Sequence, residues 1–289
     1  MRSWLRIFSD YMLCIRARLK QISCLVWATL IGILVASNGT PTFLSLSLVL
    51  LATFAMAAAM YLYNDIMDYD IDRINKVDRP IARDVVSKND AASLVLLLSA
   101  FAIILSLLMN TQSLLFCTTF LALGFLYSAP YLRLRDRFMA KQTIPATGAL
   151  ICNLIGGTAV GKTPPSLIYA GILFFLLSFA GAPLGDLADI KGDREKGART
   201  FAVVFGPSFT IKLSIVIFLL ISVVTAVSFS SFGFNILTPI LVTAASLAFS
   251  WISFSLLKNW QSPEYCIGTY KKLVLSLFLF QISFLFGIL

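Results

Sequence analysis

The chain has 289 residues, 58% of them hydrophobic and only 13% charged, with a mean hydropathy of +0.88 and a net charge of +9. That balance excludes an ordinary soluble domain. The absence of histidine removes histidine-based acid–base pairs, Cys–His nucleophiles and most transition-metal sites, and leaves carboxylates, Lys, Arg, Tyr and a bound metal to carry any chemistry.

From the N-terminus, residues 1–20 carry Arg2, Arg6, Arg16, Arg18 and Lys20 around a weakly amphipathic stretch. No small-residue cleavage site follows, so the segment reads as retained and not as a signal peptide. Beyond it, nine apolar stretches of about 17–22 residues are each long enough to cross a bilayer. They fall near 21–38, 43–62, 91–109, 112–128, 143–161, 166–184, 209–229, 236–256 and 271–289. Asn110, Thr111 and Gln112 divide one pair, and Gly161 to Pro165 another. The five cysteines are odd in number, scattered and mostly inside apolar stretches, which suggests neither a disulfide framework nor a zinc site.

Threading nine spans from a cytoplasmic N-terminus sorts the charges. In or beside the inner loops lie 22 of the 23 Lys and Arg, with only Lys162 outside. All 14 Asp and Glu fall on that same side, which orientation alone does not require. The basic residues are divided among short loops, which argues against nucleic acid. They suit anionic headgroups or a polyanionic substrate at the membrane surface. This threading places the N-terminus and polar loops in the cytoplasm, in the cell membrane, and the C-terminus outside.

The second span runs into Asn64, Asp65, Asp68 and Asp72. Spacing of i, i+3, i+7 stacks three carboxylates on one stripe of a helix, an arrangement that repels itself unless a cation lies against it. Hard oxygen ligands so spaced suit magnesium, which binds through a few carboxylates plus substrate phosphates. After the sixth span the spacing returns as Asp186, Asp189 and Asp193, each 121 residues beyond its counterpart. The repetition suggests two related halves, about 1–140 and 141–289 of a single domain, each delivering a metal-binding edge to a shared cavity. Arg73, Lys76, Arg79 and Arg83 follow the first cluster, and Lys191, Arg194, Lys196 and Arg199 the second. They are either surface partners of the acids or groups that grip phosphate oxygens.

Asn64-Asp65-x-x-Asp68-x-x-x-Asp72 and Asp186-x-x-Asp189-x-x-x-Asp193 resemble the paired motifs of the UbiA superfamily of intramembrane prenyltransferases. Tyr127-Ser128-x-Pro130 with Lys141 resembles the segment between them. The resemblance implies an all-α, polytopic membrane protein with nine helices in a ring around a central cavity, capped by cytoplasmic helices. It also implies that Asn64, Asp68, Asp72, Asp186, Asp189 and Asp193, with Asp65 in support, hold two Mg2+ ions on a prenyl diphosphate. Arg79, Lys141, Arg16 and Arg199 would bind the phosphates. Tyr127 would lie near the leaving group or allylic cation, or else serve as an interfacial aromatic.

The segment Asp189 to Thr200 is most similar to the branch that attaches geranylgeranyl groups to glycerol-phosphate ether lipids, and also to the quinone and chlorophyll branches. Where many members read R-P-I-P-S-G, this chain has Arg79-Pro80-Ile81-Ala82-Arg83-Asp84, losing a proline and a glycine from the turn. The expected reaction is transfer of an isoprenyl group to a hydrophobic lipid acceptor, geranylgeranylglyceryl phosphate. An aromatic acceptor, a cyclase of the same fold and a non-catalytic lipid or ion carrier are the alternatives. The carrier predicts charges spread along a pathway, whereas here they gather at one end.

Overall fold

A computed structural model of the protein describes residues 4–74, 77–195 and 197–288, with side chains from Ile7 onward. Arg2, Lys76, Lys196 and the Arg6 side chain lie outside the described residues. All regular structure in the described residues is helical. In chain order the helices are α1 (Trp4–Ala17), α2 (Leu19–Ala36), α3 (Phe43–Met67), α4 (Tyr69–Ile74), α5 (Lys88–Met109), α6 (Thr111–Ser128), α7 (Ala140–Thr158), α8 (Pro165–Gly185), α9 (Ile190–Glu195), α10 (Phe201–Val204), α11 (Pro207–Ser228), α12 (Leu237–Phe254), α13 (Leu256–Asn259) and α14 (Pro263–Ile288).

Local chemistry sets the helix ends. Thr42 caps α3 by accepting from the Ser45 N–H, and Ser87 caps α5 by accepting from the Asp90 N–H. The break expected at Asn110–Gln112 narrows to one residue. Asn110 is extended, accepts from the Ser113 N–H to start α6, and donates to the Thr158 carbonyl at the end of α7. Pro165 and Pro207 open α8 and α11 at positions where a missing N–H costs nothing.

Eight helices are long and apolar enough to cross a membrane among the described residues. The expected nine is reduced to eight on that criterion because α7 carries Lys141, Gln142 and three glycines, which lower its apolarity. It nonetheless packs as a ninth long helix against α2, α6 and α8. Successive long helices touch one another, and α14 closes the circuit against α2.

The circuit is not evenly hollow. On its α7–α14 side aromatic rings pack the core, with Phe174 edge-on against Phe280 and Phe284, and Phe218 against Phe249. Across the middle α2 and α7 meet backbone to backbone. A Cβ placed on Gly32 would stand 2.0 Å from the Asn153 carbonyl oxygen, and one on Gly156 would stand 2.4 Å from that of Thr29. Small residues give membrane helices this kind of close approach. The expected central cavity is therefore displaced to one side, between α2, α3, α6 and α7. Because α3, α6, α8 and α12 finish at the end where α5, α7, α11 and α14 begin, both aspartate motifs arrive at the mouth of that cavity.

Candidate active site

Helix α3 continues past its apolar stretch to carry Asn64 and Asp65, and Asp68 forms its C-cap. The chain resumes at once in α4, where the Asp72 N–H donates to the Asp68 carbonyl at 2.8 Å, so the expected stripe survives the break. Along it the acids have different surroundings. Asp65 is buried and bound by Arg18, with Arg79 Nη1 3.1 Å away. Asp68 meets Arg135 at the cavity. Asp72 faces Arg79 at 2.5 Å. Burial raises the Asp72 carboxyl above its ordinary range against the opposing pull of Arg79. For Arg18 burial acts downward, yet the Asp65 carboxylate keeps the guanidinium above its ordinary value.

The second motif begins where α8 tightens into a 3-10 turn over Asp186–Asp189, three residues after Pro183, and continues in α9. Lys141 Nζ lies 2.8 Å from Asp186 and 3.4 Å from Asp193, bridging two acids of the motif. Gln142 donates to the other Asp186 oxygen at 3.0 Å. The loop between α6 and α7 adds Arg133, Arg135 and Asp136, and the Arg199 N–H ties the second motif to it by donating to the Asp136 carbonyl at 3.1 Å.

These elements enclose a cavity of about 850 Å3. Its mouth is lined by Asn64, Asp68, Asp136, Asp189 and Asp193 together with Arg18, Arg79, Arg133, Arg135 and Lys141. Its floor is Leu25, Met60, Phe120, Leu123, Ile144 and Gly148, with Tyr61 and Tyr127 between. From Asp68 to Met60 is eight residues of helix, a depth of roughly 12 Å. A polar mouth over a dry, apolar floor suits an amphiphile with an anionic head and a hydrocarbon tail.

Seven of the expected residues line this cavity: Asn64, Asp68, Asp189, Asp193, Arg79, Lys141 and Tyr127. Asp65, Asp72 and Asp186 stand behind the lining, each against a cation that is part of it. Arg16 is exposed on α1 and Arg199 is exposed after α9, and neither lines the cavity. Arg18, two residues beyond Arg16, does line it, because it directly precedes α2 and points inward, with its guanidinium 5.6 Å from the Tyr61 ring centre. Its position at the edge of the first apolar span was a usable signal. Arg135 had none beyond a basic loop.

Among the described residues no three or more Asp, Glu, Cys or His side chains gather closely enough to hold a metal unaided. The oxygen donors at the mouth nevertheless fit magnesium, which takes one or two carboxylates and completes its shell with water and phosphate oxygens.

The altered turn at Arg79–Asp84 has a backbone that glycine would suit. Asp84, standing where the resembled pattern has glycine, adopts φ +58°, the left-handed conformation glycine favours. Its carboxylate is held by the Tyr69 hydroxyl at 2.6 Å and by Arg73 at 3.2 Å. Asp tolerates this backbone better than most residues, whereas a β-branched side chain does not. Asp84→Val is therefore expected to cost about 1–3 kcal/mol, and Asp84→Gly to be close to neutral, as measured by thermal unfolding in detergent.

The sequence profile of the UbiA prenyltransferase family matches residues 25–270. The chain is 30% identical over 278 residues to the digeranylgeranylglyceryl phosphate synthase of Thermococcus sibiricus, covering 95% of this chain and 96% of that one. It is 31% identical over 170 residues to the lycopene elongase/hydratase of Corynebacterium glutamicum, covering 57% and 59%. Among solved structures it resembles one described for digeranylgeranylglyceryl phosphate synthase in membranes, with a TM-score of 0.78 at 23% identity and 98% of each chain covered. It also resembles a UbiA homologue from Archaeoglobus fulgidus bound to GPP and Mg2+, with a TM-score of 0.73 at 18% identity, covering 95% and 99%. The motifs, the fold and the profile match agree: the chain belongs to the UbiA prenyltransferase family and is a membrane-embedded prenyltransferase.

Proposed function

We propose that the protein transfers an isoprenyl group from a prenyl diphosphate to the hydroxyl of geranylgeranylglyceryl phosphate, with Mg2+ at Asn64, Asp68, Asp189 and Asp193. The observation that carries this reading is the meeting of both motifs and five cations at the mouth of one apolar-floored cavity. Magnesium, as two ions, would neutralise the diphosphate and stabilise the charge it gains as it leaves. Arg18, Arg79, Arg135 and Lys141 grip the phosphate oxygens and fix the allylic carbon over the floor, an arrangement aimed at charge that develops in the transition state. Met60, Phe120 and Leu123 surround the tail and keep water from the allylic cation, and the Tyr127 ring faces it. The carbon–oxygen bond to diphosphate breaks with its electrons on diphosphate. The acceptor oxygen forms the new bond, and its proton is released.

A phosphate-bearing acceptor is supported by the long alignments. The digeranylgeranylglyceryl phosphate synthases of Thermococcus sibiricus and Pyrococcus abyssi align over 90% or more of both chains, while that of Pyrococcus furiosus aligns over 61% of this chain and the lycopene elongase over 57%. The charge sorting supports a cytoplasmic mouth in the cell membrane. The test is incubation of purified protein with Mg2+, labelled geranylgeranyl diphosphate and separate acceptors: geranylgeranylglyceryl phosphate, an aromatic acceptor, lycopene and none. Conjugate is expected with the phosphate lipid. Conjugate with another acceptor alone, or diphosphate release without conjugate, would overturn the assignment.

A further inference from the structure

The first aspartate of each motif is set apart from Asp68, Asp189 and Asp193, which line the cavity. Both oxygens of Asp65 lie 3.1 Å from Arg18 Nε, the side chain is 3% exposed, and Arg79 Nη1 adds a third contact at 3.1 Å. Asp186, 121 residues later, has Lys141 Nζ at 2.8 Å from one oxygen and Gln142 Nε2 at 3.0 Å from the other. Neither carboxylate lines the cavity, while Arg18, Arg79 and Lys141 all do. Both carboxylates turn their oxygens to protein N–H donors and not to the cavity, where a magnesium ion would meet the phosphate oxygens that complete its shell. Arg and Lys are long and rotamer-rich, so an anion fixed behind them holds their charges towards the mouth before substrate arrives.

We infer that Asp65 and Asp186 are positioning residues for Arg18, Arg79 and Lys141, and that neither ligates magnesium. The inference rests on the reading of this cavity as the prenyl diphosphate site. It gives the repeat a division of labour: in each half the first acid orients phosphate-binding cations, Asp72 adds a second anchor for Arg79, and Asp68, Asp189 and Asp193 face the metal.

Two readouts test it. The first is direct binding of Mn2+, followed by electron paramagnetic resonance with a saturating, unreactive prenyl thiodiphosphate. Asp65→Asn and Asp186→Asn should keep the wild-type amount of bound ion, whereas Asp68→Asn should lose it. The second is the kinetic coupling of each acid to its cation. Asp186→Asn should raise the KM for prenyl diphosphate roughly ten- to a hundredfold, and the double variant Asp186→Asn/Lys141→Gln should be no worse than Lys141→Gln alone. Thermal unfolding in detergent separates these effects from misfolding, and Asp65→Glu and Asp186→Glu, which keep the charge, should recover part of the lost KM. Loss of Mn2+ in Asp65→Asn or Asp186→Asn to the extent seen in Asp68→Asn, or fully additive losses in the double variant, would overturn the inference. Failure of the wild type to bind Mn2+ with the analogue would instead overturn the reading of the cavity itself.

Discussion

Asp68→Asn is expected to lower kcat/KM by about 100-fold or more while the protein stays folded. Asp68 caps α3, lines the cavity and meets Arg135 across it, so its charge serves both the loop arginine and the metal. Asparagine keeps the shape and a backbone compatible with the cap, and removes only the charge. Loss of one preorganised group that stabilises transition-state charge commonly costs about 10²–10³ in rate. Steady-state kinetics at saturating Mg2+, with an unfolding curve for the same preparation, checks this. A variant with near-wild-type kcat/KM would remove Asp68 from the site.

The second large effect is on the fold. Gly156→Ala should destabilise the bundle by about 3 kcal/mol, because the added carbon would lie 2.4 Å from the Thr29 carbonyl oxygen and 2.6 Å from the Ile33 nitrogen. Both are backbone atoms, so α2 and α7 must separate and no side chain can move aside to relieve the contact. Arg18 stands at the cavity end of α2 and Lys141 at that of α7, so the same separation displaces the two cations and activity should fall as well. Gly181→Ala is the matched control, since a Cβ there meets nothing within 4 Å. Equal unfolding temperatures for the two variants would show that the close approach carries no weight.

The sequence exposed the parts of this molecule that repeat or alternate. Spans of near-bilayer length, charge gathered at alternate connections and two copies of an aspartate spacing are periodic features. The spans located most long helices to within a few residues, although α3 runs five residues past the span expected at 43–62 and α14 starts eight residues before the one expected at 271–289. What it left hidden depends on side-chain direction. Arg16 and Arg18 are two residues apart and chemically the same, but the start of α2 turns Arg18 to Asp65 while Arg16 faces outward. The different standing of Asp65 and Asp68 within one stripe is likewise invisible until Arg18 is seen paired with the one and Arg135 with the other. The off-centre cavity was hidden because glycines at 32 and 156 become informative only once their helices are known to face each other. The turn at Asp84 shows the converse case, where an aspartate at the pattern's glycine position takes up the left-handed conformation that glycine favours.

The central claim is that motifs 121 residues apart act on one ligand. Calorimetric titration of the purified protein with geranylgeranyl thiodiphosphate, with and without Mg2+, tests it most directly in wild type, Asp68→Ala and Asp193→Ala. The account predicts Mg2+-dependent binding in the wild type that is lost in either single variant. Retention of Mg2+-dependent binding at wild-type affinity in one of them would contradict it.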